Sequence, residues 1–162
     1  MKILELGSGE GNKKWDTLDV RKLKGLTYSQ SAVDLSNIPD ETYDKIMTND
    51  MIEHISWSVI EKALSEWYRV LKTGGTIEIE TPSTEELKEL LNNPKTHLYR
   101  CGEESDFTYF SRVAYGEHNF LANHHASYFN PEWLEELLTQ TGFKDIKIIW
   151  ENICRFRMGA VK

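Results

Sequence analysis

Two stretches of this chain carry residue types and spacings that could do chemistry. The first is "LELGSGEGNKKWDTLDV", residues 4–20, where Gly7, Gly9 and Gly11 follow a short apolar run. Glycines in such a turn let a ligand approach the backbone closely, because they lack a side chain and reach positive φ. A triphosphate-binding loop needs GxxxxGK[ST], which "GSGEGNKK" does not supply. The dinucleotide fingerprint GxGxxG is closer, but the third glycine comes one residue early. Glu10 also sits inside the turn, where its charge would repel a pyrophosphate. Asp19 closes the next apolar run, "TLDV", and an acid there can accept hydrogen bonds from both ribose hydroxyls. It follows the glycines sooner than the ~20 residues usual in dinucleotide folds, so the first helix is expected to be reduced to a turn.

The second stretch is "NDMIEHI", residues 49–55, which places Asp50, Glu53 and His54 just past an apolar run. Each is a candidate general base, and histidine titrates near neutral pH. Another group, His118, His124 and His125 with Glu117, lies in the aromatic segment "TYFSRVAYGEHNFLANHHASYF". Its spacing matches no closed zinc motif, so no metal is expected. Tyr109, Phe110, Tyr115, Phe120, Tyr128 and Phe129 either line an acceptor pocket or form a small core under this segment. Cys101 and Cys154 show no CxxC or Cys/His spacing and read as two reduced thiols.

The elements that must position these residues follow from periodicity. Residues 2–6, 43–48 and 76–80 alternate apolar and polar side chains as strands do. Between the last two, Ile60, Leu64, Trp67, Val70 and Leu71 recur at helical spacing, with Ser56 or Ser58 to cap the start and Gly74 to end the helix. "TPSTEELKELLNN" reads as a short helix opened by Ser83 or Thr84 and closed before Pro94. Residues 92–129 then lack clear periodicity and are expected to form a cap or lid. "NPEWLEELLTQTGF" supplies Asn130 as N-cap, Pro131 in the first turn and Gly142 as stop. "KDIKIIWEN" and "CRFRMGAVK" end the chain as two antiparallel strands at one sheet edge. Strands alternating with helices predict an α/β fold with a mostly parallel sheet, in a single domain over residues 1–162. No apolar stretch approaches the ~20 residues a membrane helix needs. Glu5 interrupts any signal-like core, so a cytoplasmic location is expected. The formal charge of -7 disfavours nucleic acid as a partner.

In this order the motifs resemble those of class I S-adenosylmethionine-dependent methyltransferases. "LELGSGEG" is similar to that family's first motif and "TLDV" to its ribose acid. "SAVDLSNIP" resembles the acidic segment near the adenine, and "YDKIMTNDMIEHI" the fourth strand and its turn. "YGEHNFLANHHASYFNPEWLEELLTQTGF" further resembles small methyltransferases associated with surface-sugar biosynthesis. The resemblance implies a Rossmann-like fold with S-adenosyl-L-methionine as cofactor. Glu5 and the Gly7 and Gly9 backbone would face the methionine part, with Ser8 and Gly11 in the same binding turn. Asp19 would hold the ribose, Asp34 and Leu35 the adenine, and Asn49 the inner pocket edge. His54, Glu53 and His125 are the candidate catalytic residues, His54 being best placed by that analogy. The implied reaction is methyl transfer to a small-molecule or sugar-containing acceptor, most simply at oxygen, with a homodimer as the oligomer considered. Two rivals remain: a non-catalytic cofactor-binding or assembly protein with this fold, and an NAD-type oxidoreductase, which the GxGxG spacing disfavours.

Overall fold

A computed structural model describes residues 1–11, 14–93, 95 and 105–162. The strands are β1 (Ile3–Leu6), β2 (Asp16–Asp19), β3 (Tyr28–Ser29), β4 (Tyr43–Asn49), β5 (Leu71–Pro82), β6 (Lys144–Glu151) and β7 (Arg155–Val161). They form one sheet in the order β3-β2-β1-β4-β5-β7-β6. β1 to β5 pair in parallel, whereas β7 runs antiparallel to both β5 and β6. The sheet is thus mostly parallel with an antiparallel C-terminal edge, in a Rossmann-like α/β fold.

Leu4 and Leu6 are fully buried at the sheet centre, because β1 is paired on both sides, to β2 and to β4. The described residues between β1 and β2 form a turn rather than a helix. Helix α1 (Ile60–Val70) buries the stripe Ile60, Ala63, Leu64, Trp67 and Val70. Trp67 Nε1 donates to the Ala32 carbonyl at 2.8 Å. Arg69 donates to the Leu35 and Ile38 carbonyls and to Glu66, so α1 pins the 31–40 loop against the sheet. α1 ends at Val70 rather than at Gly74, because Leu71 turns extended, is fully buried and pairs with Tyr43.

Helices α2 (Thr84–Asn92) and α4 (Pro131–Thr141) carry the caps expected of them: Ser83 accepts from Glu85 N, and Asn130 accepts from Trp133 N. Helix α3 (Asp106–Tyr115) was not foreseen. Only Tyr109 and Ala114 are buried in it while Phe107 is exposed, so its apolar residues trace no continuous stripe. The expected cap over 92–129 and the thiol of Cys101 fall partly or wholly outside the described residues. Among the described residues, no helix is long and apolar enough to cross a membrane.

Candidate active site

Two cavities open at the carboxyl ends of the parallel strands, where ligands gather in sheets of this kind. The smaller, about 380 Å³, runs from Gly7 past the end of β2 at Asp19 and Arg21 to Ala32, Val33 and Met51. The larger, about 600 Å³, lies under α3 and includes Glu53, Glu86, Arg112, His125 and Arg155. Asp50, His54 and Asn123 border both.

Gly7 stands at φ 70, and a Cβ on it would lie 2.3 Å from Met51 Cγ. Its N–H donates to the Leu18 carbonyl at 2.8 Å, which fixes the turn on β2. Asp19 is 4% exposed and accepts four hydrogen bonds: from Gly9 N, Arg21 N, Arg21 Nε and Arg21 Nη2. Burial works to raise its pKa, but the Arg21 and Gly9 hydrogen bonds outweigh it and hold the carboxyl below its ordinary value. The Arg21 guanidinium also lies 4.2 Å over the Phe120 ring, tying the loop after α3 to the end of β2.

The structure places the other residues expected at the cofactor as follows. Glu5 accepts from Trp15 Nε1 at 2.7 Å, and the Ser8 hydroxyl donates to the Gly9 carbonyl. Gly11 is needed because a Cβ there would sit 2.0 Å from the Gly25 carbonyl oxygen. Asp34 caps a turn by accepting from Ser36 N, and Leu35 is fully buried with its N–H on Glu66. Ser31, Ala32 and Val33 line the cavity in their place. Asn49 is exposed beside Arg157, and the next residue, Asp50, faces the cavities instead.

Asp50 adopts a left-handed backbone at φ 45, which re-aims its carboxylate as β4 ends. Oδ2 takes the Arg155 guanidinium, whereas buried Oδ1 has no partner. Burial pushes its pKa up. The adjacent 3-10 turn, Ile52–His54, brings in Glu53 and His54, and the loop after α3 brings in His125. The loop is stitched to the turn: Ala126 N and Ser127 N both donate to the Glu53 carbonyl, and Ser127 Oγ donates to the Ile55 carbonyl. Ligand atoms of Glu53, His54 and His125 therefore lie within 4.8 Å of one another. Glu53 is 3% exposed, and burial together with the Asp50 charge pushes its carboxyl up to about 8. Burial lowers His54, and burial with the neighbouring His54 lowers His125 to about 4. Both imidazoles are therefore neutral at pH 7.

His118 and His124 do not join this cluster. His118 Nε2 bonds the Tyr115 carbonyl and His124 Nδ1 the Leu121 carbonyl, bracing the loop. Of the aromatics, Tyr109 is buried with its hydroxyl on Glu86, Phe129 is in the core and Phe120 borders the cofactor-side cavity. Sequence reasoning missed Arg21, Asn123, Glu86 and Arg155, which no local motif marks.

The smaller cavity suits an adenosyl-sulfonium ligand. Leu18, Ala32 and Val33 offer apolar walls for a purine, and the acid Asp50 borders the same cavity. A family model described as a methyltransferase domain matches residues 1–148. The chain belongs to this methyltransferase domain family. A methyltransferase structure from Archaeoglobus fulgidus is similar in fold, with a TM-score of 0.69 at 20% identity, over 99% of this chain and 86% of that one. One from Thermotoga maritima gives 0.65 at 18% identity, over 99% and 82%. The 1,6-didemethyltoxoflavin-N1-methyltransferase of Burkholderia thailandensis, solved with bound 1,6-didemethyltoxoflavin and S-adenosylhomocysteine, gives 0.61 at 13% identity, over 99% and 70%. No curated protein matches the chain significantly. Tyr68 and Lys72 do stand at the Tyr-xxx-Lys spacing of some oxidoreductases. Here, however, Tyr68 packs edge-on against Phe143, Lys72 pairs with Asp44, and neither borders either of the two cavities described.

Proposed function

We propose that this methyltransferase acts on a hydroxyl of a small, hydrogen-bonding acceptor, such as a sugar-containing molecule, bound in the larger cavity. The observation that carries the reading is the junction: Asp50, His54 and Asn123 border both cavities, so groups bound in each would meet there. In this reading S-adenosylmethionine is the cofactor, and when bound it would supply a methyl group on a sulfonium with a good leaving group. Acceleration then rests on alignment and, for a hydroxyl, on removing its proton.

Asp19 is the ribose acid of this reading, with Arg21 moving aside when the ribose arrives. Gly7 and the Ser31–Val33 backbone flank the nucleoside, and the loop after α3 acts as the cap. His54 takes the acceptor proton. Its Nδ1 donates to the His124 carbonyl at 2.8 Å, which leaves the Nε2 lone pair open. Glu53 Oε1 lies 4.0 Å from that nitrogen and flanks it as a neutral acid. His125, its ring centroid 5.2 Å from that of His54, shields the pair from water. Glu86, Arg112 and Asn152 give the larger cavity the polar lining that a hydroxyl-rich acceptor would use. A cytoplasmic setting fits the free Cys154 thiol.

The test is release of S-adenosylhomocysteine from a panel of sugar, phenol and amine acceptors. His54→Gln is expected to lower kcat by about 10²–10⁴-fold while cofactor affinity holds. Turnover confined to amines would move the acceptor atom from oxygen to nitrogen. The non-catalytic reading has one observation behind it, the saturation of Asp19 by Arg21, and it gains if the cofactor binds but no acceptor turns over.

A further inference from the structure

We propose that Glu53, His54 and His125 form a binding site for one divalent transition-metal ion, opening onto the larger cavity. The sequence hid this site, because Glu53 and His54 are adjacent on one turn while His125 comes from a distant loop. Their ligand atoms already lie within 4.8 Å of one another. A metal bound by such atoms at about 2.0–2.2 Å asks only for a modest contraction of the cluster.

The second observation is the tautomer each histidine is forced into. His54 Nδ1 contacts the His124 carbonyl at 2.8 Å, and His125 Nδ1 contacts the Val113 carbonyl at 2.9 Å. A carbonyl only accepts, so both Nδ1 atoms carry hydrogen and both Nε2 lone pairs remain available. Metal-ligating histidines are commonly oriented in this way. Glu53, almost fully buried, presents Oε1 toward His54 Nε2 while Oε2 accepts the Thr81 hydroxyl at 3.0 Å. Two imidazoles and one carboxylate favour zinc-like ions over magnesium or calcium. All three residues border the larger cavity, so a coordination position would stay open to a bound molecule. His118 and His124, committed to bracing their loop, take no part.

The ion and the proton compete for His54 Nε2. A loaded site would therefore polarise the acceptor oxygen itself, as bound metals do, in place of base catalysis by His54. The binding claim stands apart from methyl transfer and is tested without it.

Full-length protein stripped with a chelator would be titrated with Zn²⁺ by calorimetry, and S-adenosylhomocysteine binding measured on the same samples. The expected result is one Zn²⁺ per chain at micromolar affinity or tighter. His125→Asn and Glu53→Gln should each weaken it at least tenfold, and His118→Asn should leave it unchanged. Absence of saturable binding, or equal loss in His118→Asn, overturns the proposal. If the His125 variant fails to fold, Co²⁺ added to the wild-type protein decides: paramagnetic shifts of the His54 and His125 imidazole resonances support the site, and shifts confined to other histidines overturn it. Loss of zinc binding with intact S-adenosylhomocysteine binding removes only the metal site, whereas the converse removes only the cofactor assignment.

Discussion

The two cavities meet at Asp50, His54 and Asn123 but are built in opposite ways. The smaller is assembled largely from neighbouring strand ends and their loops, and its walls are mostly apolar around one ion pair, Asp19 with Arg21. The larger draws on the end of β4, helices α2 and α3, the loop after α3 and the start of β7, and it concentrates acids, arginines and histidines. The difference fits the two tasks proposed for them. A cofactor pocket recognises one invariant molecule, so a rigid turn and a few fixed groups suffice. An acceptor pocket is set by side chains borrowed from several elements, and its chemistry can change without disturbing the sheet.

Substitutions on either side of the junction should separate the two halves. Asp19→Ala has the largest expected effect, since it removes one or two charge-assisted hydrogen bonds to the ribose. Each is worth about 1.5–3 kcal/mol, and calorimetry with S-adenosylhomocysteine should show at least a tenfold weaker Kd. Unchanged affinity would place the ribose elsewhere. Gly7→Ala forces a side chain onto a positive φ and into Met51. It should destabilise the protein by about 1–3 kcal/mol, read as a fall in Tm.

On the acceptor side, metal-free Glu53 provides a pH signature. Its folded pKa of about 8 lies above the ordinary 4.5. Burying the neutral acid therefore contributes stability that is fully present below pH 4.5 and is lost as pH rises through 8. Glu53→Gln, permanently neutral, should flatten that decline and melt higher than wild type at pH 8.5. A parallel pair of denaturation curves from pH 5 to 9 would contradict the assignment. The smallest effect is expected from Arg21→Ala, which frees Asp19 of a competitor and should tighten S-adenosylhomocysteine binding a few-fold. Weaker binding would instead make Arg21 part of the cofactor's own contacts.

The two halves also differed in what the sequence disclosed. The α/β class and the mostly parallel sheet with its antiparallel C-terminal edge followed from alternation and capping, and the glycine turn was visible as a turn. The roles within it were less legible, because a glycine spared for a ligand and one spared for packing look alike. Gly7 borders the cavity, whereas Gly11 exists to clear Gly25. Asp34 and Leu35 were expected at the adenine; Asp34 caps a turn, Leu35 fills the core, and Ala32 and Val33, two residues earlier, line the cavity. On the acceptor side, Glu53, His54 and His125 could be named as candidates, yet nothing local distinguished His125 from its neighbour His124. Only the closure of the loop onto the 3-10 turn, through Ala126 and Ser127, selects it. Arg155 and Glu86 carry no motif at all and become visible only when β7 and α2 are set beside β4.

The central claim is that cofactor and acceptor occupy separate cavities that meet at His54. A crystal structure with S-adenosylhomocysteine tests it most directly. The account predicts the ligand in the smaller cavity, with its ribose on Asp19, Arg21 displaced and its sulfur end toward Asp50 and His54. S-adenosylhomocysteine in the larger cavity, or bound with the Asp19–Arg21 pair undisturbed, would contradict it.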